Sequence, residues 1–336
     1  MSLRAASVDG FSGGSFLNER LPHKERDVYY ADEANDIVVL FSGAIFNKPD
    51  LQKLLASDSS GPDPWLIAQL FARMGPDFAG ELNGDFSICI LKPRQRRIFL
   101  FRDQVGVSPL AYASDSKSLW FSSDIIGLCR VLSDGRKTDA DFLTGYFRVV
   151  DYRKSPDDRV RKLLPGHYLE FSEAGLKLVR YWDPEKIRTD RSMTHEQMLE
   201  SLGVIVRDAI KIRCDSRFVA GAHVSGGIDS GFVATLVRRE YGHQERFPGF
   251  SWSPLKYAGE SVSHDERELV ARSCERAGII PVLSDMEEDG FREVVSSFHE
   301  NNGYFSEDIT SSQATAAGVN LLFSGWGGDE FISTAA

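Results

Sequence analysis

The sequence predicts a protein of mixed α/β and α+β class, in which an antiparallel sheet domain precedes a parallel α/β domain. Three observations predict this. Residues 1–182 consist mainly of short alternating or apolar runs separated by turns, strands alternate with helices over 194–336, and glycine-rich acidic turns follow two of those strands. At about 150 residues per domain, the 336 residues are enough for two hydrophobic cores.

The composition excludes several classes of protein. A chain with 42% hydrophobic and 26% charged residues is neither disordered nor fibrous. The net charge of −10, with the positive charge scattered, argues against a nucleic-acid partner. No apolar run is long enough for membrane insertion, and the N-terminus has no signal-peptide pattern. The four cysteines are far apart and form no CxxC pair, so we expect a cytoplasmic protein.

The first half is predicted as a mostly antiparallel sheet with one helix. We expect strands at 37–41, 86–91, 98–101 and 119–122, joined by turns rich in Gly, Asn and Ser. The helix is predicted over 64–74, and its apolar face consists of Trp65, Ile67, Leu70 and Phe71. The polar stretch 183–193 is predicted as a linker, which separates domains at 1–182 and 194–336.

Helices and strands alternate in the second half. Thr194 and Gln197 have the spacing of a capping box, so a helix is expected to follow. Its expected buried face comprises Met198, Leu202, Ile205, Val206, Ala209 and Ile210. Further strands are predicted at 218–224, 249–253, 279–283 and 319–323, and helices at 231–241, 264–277 and 290–300. This alternation is typical of a parallel sheet.

The first glycine-rich turn, 225–230, reads Ser-Gly-Gly-Ile-Asp-Ser. Ligands of open α/β sheets bind where strands end, and the glycines, the two serine hydroxyls and the following helix N-terminus together predict a phosphate cradle. The turn differs from a Walker A loop because no lysine follows. Asp229 would repel a bare phosphate, which indicates a Mg²⁺ ion between them. The alternative is a tight turn in which Asp229 only caps the helix.

The second glycine-rich turn, 324–330, reads Ser-Gly-Trp-Gly-Gly-Asp-Glu and also follows a predicted strand. Because the ends of parallel strands share one sheet edge, Asp229 and Asp329 can lie close together and hold Mg²⁺ on the phosphates of a nucleotide. Taken alone, such a loop can equally be a solvated turn. The two turns together favour a nucleotide site.

These two turns resemble the ATP-pyrophosphatase superfamily and, within it, the asparagine synthetase family. The first half is similar to that family's class II glutamine amidotransferase domain, which has an N-terminal-nucleophile fold. The motifs that carry this similarity are 43–47 (GAIFN), 83–86 (NGDF), 102–110 (RDQVGVSPL) and 121–124 (FSSD), with 163–167 (LLPGH) at the domain junction. The resemblance covers nearly the whole chain.

Three positions depart from the family pattern. A working glutaminase of this family needs cysteine after the initiator methionine, and here that position is Ser2. The oxyanion-hole Asn-Gly of the family is Ser42-Gly43, so one donor has lost its amide. The resemblance therefore implies a degenerate domain that does not hydrolyse glutamine. In the second turn, the family's glutamate is replaced by Trp326, which can line a larger apolar or peptide-binding pocket.

The resemblance implies an ATP-dependent ligase that adenylates a carboxylate, releases pyrophosphate and AMP, and forms an amide. We expect ATP and Mg²⁺ to be required. The residues implied in binding ATP or pyrophosphate are Val224, Ser225, Gly226, Gly227, Asp229, Ser230, Trp252, Ser324 and Gly325, with Asp229 and Asp329 on the metal. Trp326 and Glu330 are the candidates beside the reacting groups, although Trp326 and Trp252 can also be packing residues and Glu330 a helix-start residue.

Ser2 and Trp326 favour the branch of β-lactam synthetases and lasso-peptide cyclases, which close a ring within one molecule. The expected substrate is then a peptide or amino acid with a carboxylate, and the expected partners are a leader-peptide binder and a protease. One alternative is an asparagine synthetase that uses ammonia or glutamine with aspartate. The other alternative is a non-catalytic nucleotide-binding homologue, because the second domain ends just past the second turn. We favour a different explanation of that ending, namely that the sequence is an incomplete record.

Overall fold

The computed structural model describes residues 2–8, 11–17, 29–56, 61–132, 138–145, 151–255, 265–290, 292 and 305–328. They fall into two compact units that divide between Arg191 and Ser192, apart from a short N-terminal piece outside the described residues. Each unit has hydrophobic clusters of its own.

The first unit is built mainly from antiparallel strands. In chain order they are β1 (Ser2–Val8), β2 (Phe11–Leu17), β3 (Tyr29–Asp32), β4 (Ile37–Ile45), β5 (Gly84–Lys92), β6 (Arg97–Arg102), β7 (Ala111–Ser114), β8 (Leu119–Ser122), β9 (Arg161–Lys162), β10 (His167–Ser172) and β11 (Gly175–Arg180). One sheet has the order β11-β10-β6-β5-β4-β3, a second β8-β7-β9, and β1 pairs with β2. The predicted antiparallel architecture is thereby confirmed.

Side chains of the central strands β4 and β5 point alternately to the two faces of the sheet, and each face packs against a different hydrophobic core. Ile37, Val39 and Phe41 of β4 face one core, which also contains Phe86, Ile88 and Ile90 of β5. The intervening residues, such as Val38 and Cys89, face a second core beneath β7 and β8. The helices of this unit are α1 (Lys48–Leu55), α2 (Asp63–Met74), α3 (Ile125–Val131) and α4 (Ala140–Gly145).

Helix α2 covers the first of these cores. Its apolar residues recur at helical spacing, so that Leu66, Ile67, Leu70 and Phe71 are buried on one face. Trp65 is partly buried and packs against the same cluster. Pro64 fits the first turn because a helix needs no hydrogen bond from the backbone nitrogen there. The helix begins one residue before its predicted start and ends where predicted.

The second unit is a parallel sheet flanked by helices. Its elements are α5 (His195–Lys211), β12 (Ala220–His223), α6 (Ile228–Glu240), β13 (Pro248–Pro254), α7 (Arg267–Ala277), β14 (Ile280–Ser284), α8 (Phe305–Ala316) and β15 (Leu321–Phe323). The strand order is β14-β13-β12-β15, and each neighbouring pair is parallel. The central strand β12 is buried at every residue. The predicted parallel α/β architecture is confirmed.

Two features of the second unit differ from the sequence prediction. Helix α5 forms with its capping box, but of the six residues expected on its buried face only Ile210 is buried, and Met198, Leu202 and Ile205 are exposed. Helix α8 was not predicted, because its sequence FSEDITSSQATA is too polar to show an apolar face. Most of the predicted helix 290–300 lies outside the described residues.

Candidate functional site

The first glycine-rich loop connects the carboxyl end of β12 to α6. Gly226 has φ +79°, in the left-handed region that favours glycine, and Gly227 precedes the first residue of α6. The thirteen residues of α6 therefore direct a helix N-terminus at the loop, where backbone N–H groups and the helix dipole favour an anion. Val224, just before the loop, is fixed by its N–H, which donates to the Phe250 carbonyl at 2.8 Å.

Two serine hydroxyls hold the first loop closed. The Oγ atoms of Ser225 and Ser230 lie 2.8 Å apart, and the backbone N–H of Ser225 donates to Ser230 Oγ at 3.1 Å. The N–H of Gly227 also donates to Ser225 Oγ, at 3.3 Å. The loop is therefore held in one shape by its own hydroxyl groups. The same hydroxyls can turn to donate to phosphate oxygens.

The second loop follows β15 and packs directly on the first. A Cβ atom on Gly325 would lie 2.7 Å from the backbone nitrogen of Ser230, and one on Gly328 would overlap the carboxylate of Asp229. Only glycine allows such an approach. The second loop is closed by the Gly328 N–H, which donates to the Gly325 carbonyl at 3.2 Å. Residues 99 positions apart in the sequence, Asp229 and Gly328, thus meet at the carboxyl edge of the sheet.

An aromatic wall adjoins the two loops. His223, at the end of β12, is 8% exposed, whereas Trp252 and Trp326 are 42% and 55% exposed. The ring centroids of His223 and Trp252 lie 6.2 Å apart, and those of Trp252 and Trp326 also lie 6.2 Å apart. These rings and the first loop line a cleft of about 520 Å³, whose mouth includes the exposed Ile228. This volume is within the range of small-molecule sites.

The structure brings most of the predicted site residues together. Val224, Ser225, Gly227, Asp229, Ser230, Trp252, Gly325 and Trp326 line the same cleft. Gly226 lies in the first loop and Ser324 directly follows β15. Asp329 and Glu330 lie outside the described residues. His223 was not singled out from the sequence, because it resembles one more residue of a buried strand; its position two residues before the loop was the available signal.

The carboxylate of Asp229 lies against Gly328 of the second loop and is the acidic side chain among the described residues that line the cleft. No cluster of three or more His, Cys, Asp or Glu side chains suited to a metal occurs among the residues that the structure describes. Mg²⁺ commonly takes one or two carboxylates and completes its shell with water and phosphate oxygens, so a single carboxylate between two loops fits its donor preference. It does not fit a zinc site, which needs three or four protein ligands.

In the first unit, two of the family motifs, 43–47 and 83–86, lie together at the start of β5. Ser42 and Gly43 lie in β4, where Gly43 is paired with Phe86. Asn83 precedes β5 and its N–H donates to Asn47 Oδ1 at 2.9 Å, while Asn47 Nδ2 donates to the Glu81 carbonyl. The described side chains at this end of the sheet thus include neither a thiol nor the amide expected at position 42. Ser2 lies in β1, and its side chain lies outside the described groups.

Both halves of the chain match known families. Residues 29–182 match the family described as a glutamine amidotransferase domain, and residues 202–334 match asparagine synthase.

None of the described helices has the length and apolar character required to cross a membrane.

Two relatives are named asparagine synthetase and a third is named an amidase. A protein of Methanocaldococcus jannaschii with the provisional name glutamine-hydrolyzing asparagine synthetase 2 is 28% identical over 223 residues, which cover 64% of this chain and 43% of that protein. Glutamine-hydrolyzing asparagine synthetase 3 of Bacillus subtilis is 22% identical, covering 64% and 36%. Amidase chyE of Penicillium rubens is 24% identical over 341 residues, covering 90% and 48%. The chain thus spans less than half the length of these relatives.

A solved structure shows weaker similarity. The glutamine phosphoribosylpyrophosphate amidotransferase of B. subtilis is 12% identical and covers 89% of this chain and 73% of that one, at a TM-score of 0.35.

Proposed function

The chain belongs to the asparagine synthetase family, and from this premise we propose that it is an ATP-dependent ligase that adenylates a carboxylate and joins it to an amine. The observation that carries the proposal is the contact between the two glycine-rich loops at the carboxyl edge of the sheet. It unites an anion-binding helix N-terminus, two serine hydroxyls and a carboxylate in one cleft.

Each group in the cleft has a role in the proposed adenylation. The loop amides and the hydroxyls of Ser225 and Ser230 hold the β and γ phosphates of ATP. Asp229, together with Asp329, would hold Mg²⁺, which neutralises the negative charge of the phosphates. The indole of Trp252 provides a flat apolar surface for the adenine. Val224, Gly325 and Ser324 complete the nucleotide-facing edge.

The bonding changes of the proposed reaction balance without a further reactant. A substrate carboxylate oxygen attacks the α phosphorus, and the bond from that phosphorus to the bridging oxygen breaks, so that pyrophosphate leaves. The amine nitrogen then attacks the acyl carbon, AMP leaves with the former carboxylate oxygen, and the amine loses one proton. The N–H groups of the first loop and of the α6 N-terminus would stabilise the negative charge that develops on the phosphate oxygens.

The acceptor side of the cleft favours a peptide that closes on itself. Trp326 is more than half exposed beside Trp252, and Ile228 is exposed at the same mouth, so these described residues offer apolar surface to a substrate. Holding both ends of one molecule there would make the second step effectively unimolecular. A macrolactam-forming cyclase of the lasso-peptide type is therefore our preferred assignment. A leader-peptide binder and a protease are its proposed partners.

An asparagine synthetase activity is the second candidate, favoured by the names of several relatives. This activity would join aspartate to ammonia, supplied either directly or by hydrolysis of glutamine. The matched residues cover less than half of these relatives, so we only propose, and do not assign, their substrates for this chain. We also propose a cytoplasmic location, supported by four free cysteines.

Product analysis separates the two candidates. The full chain is incubated with ATP and Mg²⁺, either with aspartate and ammonium or with peptides that carry an internal Asp or Glu and a free N-terminal amine. The cyclase assignment predicts a peptide product that has lost one water, formed together with AMP and pyrophosphate. Formation of asparagine, with every peptide unchanged, would overturn the cyclase assignment in favour of the synthetase.

A further inference from the structure

A second cleft, of about 400 Å³, lies in the first unit beside β9, and we call it the β9 cleft. Tyr112, Leu164 and Leu178 supply apolar wall, and Leu178 lies on the exposed edge strand β11. Four cationic side chains also line it: Arg153, Lys154, Arg161 and Lys162. They outnumber the one acidic side chain of the described lining, Asp151, although the chain as a whole has a net charge of −10. The proposed ligase reaction uses none of these residues.

Acidic side chains pair with most of the cations. Arg153 forms a two-pronged contact with Asp151, with both N–O distances at 2.9 Å. Lys154 Nζ lies 2.8 Å from Asp141 Oδ2 and 3.2 Å from Asp139 Oδ1. These three carboxylates are therefore already engaged by neighbouring charges.

Arg161 has a weaker contact, since its Nη1 lies 4.0 Å from Asp139 Oδ2, and its side chain is 43% exposed to solvent. Water can therefore compensate most of its charge. Of the four cations that line the cleft, one has not yet been assigned a carboxylate partner.

Lys162 is that cation. No ion pair joins it to an acidic side chain in the described part of the chain, and its ammonium lies 5.8 Å from the ring of Phe142 in α4. Burial lowers the pKa of Lys162, and the nearby positive charge of Arg102 lowers it further. Arg102 cannot supply a counter-charge, and its own guanidinium donates to the carbonyls of Ser108, Leu163 and Gly106. An anion beside Lys162 would stabilise its ammonium, which burial and the positive charge of Arg102 disfavour.

We propose that the β9 cleft binds a small organic carboxylate with an apolar body, whose carboxylate pairs with the Lys162 ammonium while its body packs on Tyr112, Leu164 and Leu178. A monoanion matches the single uncompensated cation. The described lining contains no glycine-rich loop at a helix N-terminus of the kind that holds a phosphate dianion. The ligand class is thus distinct from the nucleotide assigned to the second unit.

Calorimetric titration of the full chain with 3-phenylpropanoate tests the proposal. We expect binding that weakens by at least about tenfold in Lys162→Met, because a charge-assisted contact is lost, and that is retained in Lys162→Arg. The matched control Lys177→Met alters an exposed lysine of β11 outside the cleft lining and should bind like the parent chain. The neutral analogue 3-phenylpropan-1-ol should also bind at least about tenfold more weakly than the acid.

Several outcomes would overturn the proposal: no binding of the acid, equal binding of acid and alcohol, or unchanged affinity in Lys162→Met. Inorganic phosphate that binds as tightly as the acid would show a site for charge alone, which also overturns it. If Lys162→Met fails to fold, reductive ¹³C-methylation of the parent chain replaces it. The Lys162 methyl signal should then shift on addition of 3-phenylpropanoate, and an unmoved signal contradicts the proposal.

Discussion

Gly325 sets how closely the second loop approaches the first. Since its missing side chain would lie 2.7 Å from the Ser230 nitrogen, Gly325→Ala must push the loops apart, at a cost of about 1–3 kcal/mol of unfolding free energy. Gly231→Ala is the matched control, because nothing lies within 4 Å of its added methyl group inside α6. That change should stabilise the chain by about 0.5–1 kcal/mol.

Urea unfolding and ATP binding measure both changes. We expect Gly325→Ala to lower the unfolding midpoint and to weaken ATP binding, and Gly231→Ala to raise the midpoint. A Gly325→Ala chain as stable as the parent would mean that the loops are not packed as closely as described.

Thiol reactivity tests the burial of Cys214 and Cys274 in the second unit, where Cys274 belongs to the hydrophobic cluster and Cys214 packs against it. Burial, with a smaller contribution from Glu240, raises the pKa of Cys214 to about 11, and burial raises that of Cys274 to about 11. Because only the thiolate reacts, labelling at pH 8 should be roughly 100-fold slower than for a free cysteine, and it should accelerate as the pH rises toward 11. Labelling is followed by mass spectrometry. Rapid reaction of both thiols at pH 8 would contradict the described packing.

At the scale of single elements, helix α5 depends on a complete capping box. Thr194 Oγ1 accepts from the Gln197 N–H at 3.2 Å, and Gln197 Oε1 accepts from the Thr194 N–H at 2.9 Å. Thr194→Ala should cost about 1 kcal/mol of unfolding free energy, measured with urea. The control Thr189→Ala, at an exposed position before the helix, should leave the value nearly unchanged. Equal effects of the two changes would show that the cap contributes nothing.

Local patterns were sufficient to predict most elements. The strand at 37–41 extends in the structure to Ile45, and the helix at 64–74 begins at Asp63, because apolar periodicity defines the middle of an element better than its ends. Periodicity could not predict which apolar face is covered: Leu202 recurs at helical spacing in α5 yet is exposed. Burial depends on what packs against the helix, and one segment's sequence does not contain that information.

The two candidate sites differ in how far the sequence could predict them. The nucleotide cleft was predictable because each glycine-rich loop is a local motif and parallel topology brings strand ends together. The β9 cleft was not, since Lys162, Tyr112 and Leu178 come from three separate strands. The place of His223 in the wall of the nucleotide cleft could not be predicted either, because it depends on a contact between its ring and Trp252 of the neighbouring strand β13.

At the scale of the whole molecule, the chain has two units that divide between Arg191 and Ser192. Residues 185–192 are exposed and lie outside longer helices or strands, so the bonds after Arg188 and Arg191 are accessible to trypsin. Brief digestion should give an early pair of fragments separated there, identified by mass spectrometry. Survival of both bonds while α2 and α6 are cleaved would contradict this division and the predicted linker at 183–193.

The exchange of labelled pyrophosphate into ATP measures the central claim most directly, because exchange requires a carboxylate to be adenylated reversibly in the cleft. With Mg²⁺ and a peptide that carries an internal Asp or Glu, the parent chain should exchange pyrophosphate, and Asp229→Asn should exchange at least about 100-fold more slowly. Asp208→Asn, which removes an exposed carboxylate of α5, is the matched control and should exchange like the parent. Equal exchange by Asp229→Asn and the parent would contradict the account.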